Sequence, residues 1–232
     1  VGHILDVLRE LGIDERTLVI FTSDNGATSR GSNAPLRGHK GGTWEGGIRV
    51  PTIAWWPGTI PAKTESAAIT GVHDILPTLA ALAGTTPPSD RKLDGINISD
   101  ILLGKNNAKG HDVFPYYLGL QLEAIRSGPW KLHFGLDEAP DPNVSPDARP
   151  YGLTLYHLEN DPGETTNVAT ANPEIVKELQ ALAQALDADL GTGPDSIGPG
   201  VRALGRVESP MPFLNNDGRV RPDSVGAATE FP

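Results

Sequence analysis

LVIFTSDNGATSRGSNAPLRGHKGGTWEGGIRVPTIAWWPG, residues 18–58, runs from one apolar strand through an acid, an amide and a basic glycine-rich loop into a second apolar strand. The first run, Leu18, Val19, Ile20 and Phe21, is short, continuous and apolar, the pattern of a buried parallel strand. The second, 52–56, stops at Pro57-Gly58. Ahead of both, Ile4, Leu5, Val7, Leu8 and Leu11 put one apolar stripe on a helix that Gly12 ends. Behind them, residues 74–83 before Gly84 read as a helix with an acidic first turn at Asp74 and an early, tolerated Pro77. Helix, strand, polar loop, strand and helix in that order make an α/β unit.

From about His111 the pattern changes to short strand-like pieces at 113–118, 122–127, 130–134 and 153–158, which predict a small antiparallel sheet. Asn172-Pro173 then opens a long helix with Ile175, Val176, Leu179, Leu182, Ala183, Leu186 and Leu190 at helical spacing, ended by Gly191. One helix on one face of a small sheet makes a second domain. Residues 136–150, rich in Asp and Pro, read as a surface loop. After Gly191 the chain is rich in Pro and Gly without sustained periodicity, an extended tail or wrap-around segment. There are no internal repeats.

The 232 residues, 38% of them hydrophobic, are enough for one large or two small domains with real cores. No apolar run approaches the ~20 residues that span a bilayer, and residues 1–12 lack the layout of a signal peptide, so a membrane partner is not expected. A formal charge of -10 and a pI near 5.0 argue against nucleic acid as a partner, because phosphate binding wants a basic face. Zero cysteines exclude disulfides, thiolate metal sites and a cysteine nucleophile from these residues. The first residue is Val1 and the only methionine is Met211, so the chain is expected to be a piece of a longer protein.

Asp24 and Asn25 lie just past the end of the 18–21 strand, where open α/β sheets place their ligand crevice. A carboxylate and an amide carbonyl are hard oxygen donors that suit calcium or magnesium, although Asp-Asn-Gly after a strand also reads as a plain turn. Lys40 sits in Gly38-His39-Lys40-Gly41-Gly42, where small neighbours let a tetrahedral anion approach the backbone and the ammonium supplies a point charge. A flexible loop with a solvated lysine is the alternative. Glu45 and Arg49 read as a salt-bridge pair bracing this loop, with Arg37 nearby. Asp74 beside His73 reads as a helix cap. His111, His133 and His157 fall on or beside strands of the small sheet and read as structural. Trp55 and Trp56 suit packing or a sugar-binding cleft. Asp161 and Glu164, in NDPGET, read as a turn without chemistry.

TSDNG, then PLRGHKGGTWEGGIRVP, then WWPG, in that order and spacing, closely resemble the type I sulfatases of the alkaline phosphatase superfamily. The resemblance continues through GVHDILPTLAALAG at 71–84, AIRSGPWKLH at 124–133 and LYHLENDPGETTNVA at 155–169, and covers roughly residues 1–190. It implies an α/β fold: the C-terminal part of an alkaline-phosphatase-like mixed sheet flanked by helices, plus a small α+β domain with an antiparallel sheet and one long helix. The implied domains are 1–110, the C-terminal part of the large domain with the metal and sulfate loop; 111–191, the small C-terminal domain; and 192–232, the tail. It also implies hydrolysis of a sulfate ester, on a carbohydrate or aryl substrate, by a formylglycine hydrate beside a bound calcium ion, with calcium preferred to magnesium. Asp24 and Asn25 would be two of the metal's oxygen ligands. Lys40 would hold the sulfate as a catalytic and substrate-binding residue, and His39, which departs from the small residue often found there, would touch substrate or brace the loop. A periplasmic or extracellular location follows from the family.

The family's nucleophile lies in a C/S-x-P-x-R motif that this chain lacks. Asn33-Ala34-Pro35-Leu36-Arg37 has the same Pro and Arg spacing, but asparagine cannot become formylglycine, so it is rejected as a catalytic site. The expected partners are therefore a sulfated small molecule or glycan and the missing N-terminal half of the same enzyme. Alone, the chain is expected to bind calcium weakly, to be inactive and to expose apolar sheet edges. Two other readings stay open: a phosphate or phosphonate ester hydrolase of the same superfamily, and a non-catalytic fragment that binds sulfated glycans.

Overall fold

A computed structural model describes residues 1–89, 91–135, 150, 152–191 and 219. The chain divides into two compact units, Val1–Arg202 and Ala203–Pro232. All that follows concerns the first; the loop at 136–150 and the tail from 192 fall outside the described residues, apart from Pro150 and Arg219. Among the described residues no helix is long and apolar enough to cross a membrane.

The first part of the unit carries α1 (Gly2–Glu10), β1 (Val19–Phe21), α2 (Glu45–Ile48), β2 (Ile53–Trp55), α3 (Ile75–Leu82) and α4 (Ser99–Leu102). Gly12 closes the first helix with a positive φ of 64°, as its position after the apolar stripe predicts. β1 pairs with β2, Val19 opposite Trp55 and Phe21 opposite Ile53, and the pairing is antiparallel. That corrects the parallel reading of 18–21. A continuous apolar run reports burial on two faces but carries no signal of partner direction, and here the chain reverses through residues 22–52 to pair with itself. The tryptophans of β2 and its exit pack on the first helix region: the Arg9 guanidinium lies 5.4 Å over the Trp55 ring and Trp56 Nε1 donates to the Glu15 carbonyl at 2.7 Å.

The second part is a meander, β3 (Val113–Leu118), β4 (Gln121–Ser127), β5 (Trp130–His133) and β6 (Thr154–His157), followed by α5 (Pro173–Leu190). Ile125, Leu132 and Leu155 stand opposite one another across β4, β5 and β6 and face α5, closing a core with Leu122, Leu179 and Ala183. Strand alternation sends Tyr116, Ala124, Arg126, Lys131, His133 and Tyr156 to the other face. A face so rich in charge reads as solvated, yet it is covered by the segment 43–45: Trp44 packs against Tyr156 and Leu158. The helix α5 starts at Asn172 as expected, although the Asn172 side chain bonds back to the Val168 carbonyl rather than capping the helix.

Burial is uneven along the unit. Among the described residues every buried hydrophobic side chain except Trp44 lies at or beyond Tyr116. Before that point large apolar groups face outward, including Phe21, Leu76 and Leu79, with Ile53 60% and Val72 74% exposed.

Candidate functional site

The loop between β1 and α2 is folded back on itself by one side chain. Asn33 accepts the Ala27 N–H at 2.8 Å through Oδ1, and its Nδ2 donates to the carbonyls of Ala27 at 3.1 Å and Gly38 at 2.9 Å. The Lys40 N–H reaches the Ala27 carbonyl at 3.0 Å, and the Gly26 N–H reaches Gly47 at 3.0 Å. The DNG turn and the GHKGG turn are thus bonded edge to edge on α2. Only glycines fit there: a Cβ on Gly26 would stand 1.8 Å from the Gly46 carbonyl oxygen, and one on Gly46 would meet the carbonyls of Arg37 and Gly38 at 2.4 and 2.6 Å. The asparagine that mimics a nucleophile position is the staple of this loop.

Asp24 is exposed and lines a cavity of about 450 Å³ together with Thr22, Arg49, Tyr116 and Arg126. Among the described residues no side chain or backbone group bonds its carboxylate, which leaves both oxygens available for a cation. Asn25 is half-buried next to it, its carbonyl accepting the Ser23 Oγ–H at 2.9 Å. Lys40 is exposed, its N–H anchored on the Ala27 carbonyl. His39 is half-buried, its Nδ1 3.3 Å from Asn33 Nδ2. The free carboxylate and neighbouring amide are the hard oxygen donors that fit calcium.

What holds this loop is a buried ionic cluster that the sequence reading missed. Glu45 does not pair with Arg49, because the chain turns to an extended conformation at Arg49 as soon as α2 ends. Glu45 instead points into the sheet: Lys131 Nζ lies 3.0 Å from Oε1, Tyr116 donates to Oε1 at 3.0 Å and Arg126 reaches Oε2 at 3.4 Å. Lys131, 0% exposed, also donates to the Thr43 carbonyl at 2.7 Å and lies 3.0 Å from Glu164 Oε1. Thr43 Oγ1 donates to Glu123 Oε2 at 2.8 Å. Arg37 stacks 3.9 Å over Trp44 and donates to the Glu164 carbonyl.

Glu164 overturns its reading as an idle turn residue. It is fully buried with a positive φ of 51°, and its Oε2 accepts the Glu45 N–H at 2.7 Å, so the NDPGET turn caps the first residue of α2. Burial alone would raise its pKa, but the His133 hydrogen bond at 2.9 Å, the Lys131 ammonium and the Glu45 N–H together hold it below the ordinary carboxylate range. His133 is pushed down to about 4, chiefly by burial and further by the Lys131 charge, against the pull of Glu164. It is a neutral imidazole at pH 7, donating Nε2–H to Glu164, with its ring 4.4 Å from Trp44. Burial and the Glu45 charge raise Tyr116, keeping its hydroxyl a donor. The readable signal was the alternation that puts Lys131 and His133 on one strand face; nothing local tells that residues 43–45 cover that face.

The acid-amide turn and the lysine turn are thus held edge to edge at the end of a strand, in an α/β unit backed by an antiparallel sheet and one long helix. Residues 1–85 match the family model described as Sulfatase, and residues 109–208 match the one described as C-terminal region of aryl-sulfatase. The chain belongs to the sulfatase family. It is similar to N-acetylgalactosamine-6-sulfatase of Canis lupus familiaris, 38% identical over 212 residues, which are 78% of this chain and 39% of that protein. It is similar also to arylsulfatase A of Homo sapiens, 37% identical over 227 residues, 86% of this chain and 44% of that protein. Among solved structures, a sulfatase from Pseudoalteromonas sp. superposes with a TM-score of 0.69 at 28% identity, covering 81% of this chain and 40% of that one. The chain spans about two fifths of the length of the relatives it matches.

Proposed function

We propose that this chain supplies part of the metal and sulfate site of a sulfatase that hydrolyses a sulfate ester on a carbohydrate or aryl substrate. The observation that carries the proposal is the Asp24 carboxylate, free of bonds from the described residues and joined through Gly26 and Ala27 to the turn bearing Lys40. In this reading Asp24 and Asn25 offer two oxygens to a calcium ion, which when bound supplies positive charge against the negative charge that develops on the transferring group. Lys40 holds a sulfate oxygen by its ammonium, and His39 stands beside it. Two oxygens fall short of the six or more that calcium takes, so the remaining ligands belong to another segment. The formylglycine nucleophile belongs there too, since these residues contain no cysteine and no S-x-P-x-R.

That segment is the N-terminal half of the same enzyme. The exposed apolar side chains of β1, β2 and α3 support this, because they form a surface that a larger sheet and its helices would cover. The substrate class draws on the relatives, which are named for a sulfated amino sugar and for aryl sulfates. Intact mass and a peptide map of the natural protein test the proposal. An upstream formylglycine, with sulfate released by the natural protein and none by residues 1–232 alone, is the expected result. A natural protein that begins at Val1 without a partner chain, that cleaves only phosphate esters, or that binds sulfated glycans without turnover would overturn it.

A further inference from the structure

Away from the loop, Asp74 is buried to 0% exposure at the start of α3, and among the described residues no lysine or arginine pairs with it. Its carboxylate is positioned by backbone: Oδ2 accepts the Gly71 N–H at 2.7 Å and Oδ1 the Ile96 N–H at 2.8 Å. Among the described residues, the groups that can carry positive charge toward it are two imidazoles. His111 Nε2 stands 2.8 Å and His73 Nε2 3.7 Å from the same Oδ1, and one donor atom from each of the three residues falls within 4.8 Å of the others. In a tetrahedral zinc site with bonds of about 2.0 Å, donors stand about 3.3 Å apart, inside this spread.

Both rings are held. A Cβ on Gly71 would come 2.3 Å from His73 Cε1, so the imidazole occupies the space a side chain there would fill, and a Cβ on Gly95 would strike the His73 carbonyl at 2.0 Å. The His111 N–H donates to Ile69 at 2.8 Å. Phe114 walls the pair, 5.6 Å from the His73 ring and 5.7 Å from the His111 ring. His73, its side chain 36% exposed, borders the cavity and leaves an open approach.

The geometry points to a transition-metal site formed by His73, Asp74 and His111, taking a borderline divalent ion such as Zn²⁺ with solvent in the remaining position. Two imidazole nitrogens and one carboxylate favour zinc, cobalt or nickel over the calcium suited to Asp24 and Asn25. Metal there neutralises the buried carboxylate and ties the start of α3 to the entry of β3, replacing the single His111 hydrogen bond.

The test is titration of the natural protein, stripped with EDTA, with Zn²⁺ followed by calorimetry, and with Co²⁺ followed by its visible absorption. Wild type should bind one such ion in the micromolar range and melt at higher temperature with zinc. His73→Gln and His111→Gln should each weaken binding by more than the roughly tenfold that follows loss of an outer-shell partner, and the double variant should lose the cobalt bands. Lys40→Ala should bind zinc as wild type does, which separates this site from the sulfate loop. Unchanged affinity in the double variant, with wild-type circular dichroism, would overturn the assignment, as would wild type that takes up no zinc below millimolar concentration.

Discussion

Glu45 and Lys131, 86 positions apart, meet at 3.0 Å, and neither side chain reaches solvent. The contact ties the loop that carries Lys40 to the polar face of the small sheet, and Glu164 closes it from the other side. Removing the ammonium takes away the cation that two buried carboxylates share and leaves Glu45 with the longer Arg126 contact at 3.4 Å. Lys131→Ala is therefore expected to cost about 3–5 kcal/mol in urea unfolding of the natural protein. A loss below about 1 kcal/mol, the range of exposed pairs, would show that water reaches the cluster.

His133 makes stability depend on pH in the sense opposite to that of a histidine gaining a charged partner. Its folded pKa is depressed from 6.5 to about 4, so between those values the unfolded chain takes up a proton that the folded chain refuses. Stability is full above about pH 6.5 and falls as pH drops toward 4, by at most about 3 kcal/mol from this group. Glu164, also depressed, adds a further loss at lower pH. Chemical denaturation at pH 7 and pH 5 should show the drop in wild type and a flatter profile in His133→Gln, whose amide can still donate to Glu164. Equal slopes in the two proteins would remove His133 from the account.

Asn33 offers a separate handle on the loop. Asn33→Ala deletes three hydrogen bonds that fold the Lys40 turn onto the DNG turn, so it should lower kcat/KM of the natural enzyme about tenfold or more while its melting temperature changes little. Asn33→Asp keeps the acceptor but loses both donors and should not restore activity. Wild-type kinetics in Asn33→Ala would mean that the Gly26, Gly46 and Gly47 backbone contacts alone hold the loop.

The elements of the meander and of α5 were legible because their residues obey periods of 2 and 3.6: the strand beginning at Val113 and the helix from Pro173 lie where the apolar positions put them. The DNG and GHKGG segments were legible as turns because glycine marks them, and the structure bonds the two together through Ala27 and Lys40. The direction of β1 was not, since an apolar run has no polarity of partner. Nor was the cluster of Glu45, Lys131 and Glu164, whose members are separated by more than 30 residues and fall on segments that each make sense alone as loop, strand and turn. The pairing of His111 with Asp74 was not legible for the same reason, since 37 positions separate the two residues.

The most direct test of the central claim is sulfate release from an aryl sulfate and from a 6-sulfated amino sugar by the natural protein and its Lys40→Ala variant, in calcium-containing buffer. The account predicts turnover of at least one substrate by wild type and a fall in kcat of about 10²–10³ in the variant, the loss that follows removal of a group aimed at transition-state charge. A Lys40→Ala protein that releases sulfate as fast as wild type would contradict it.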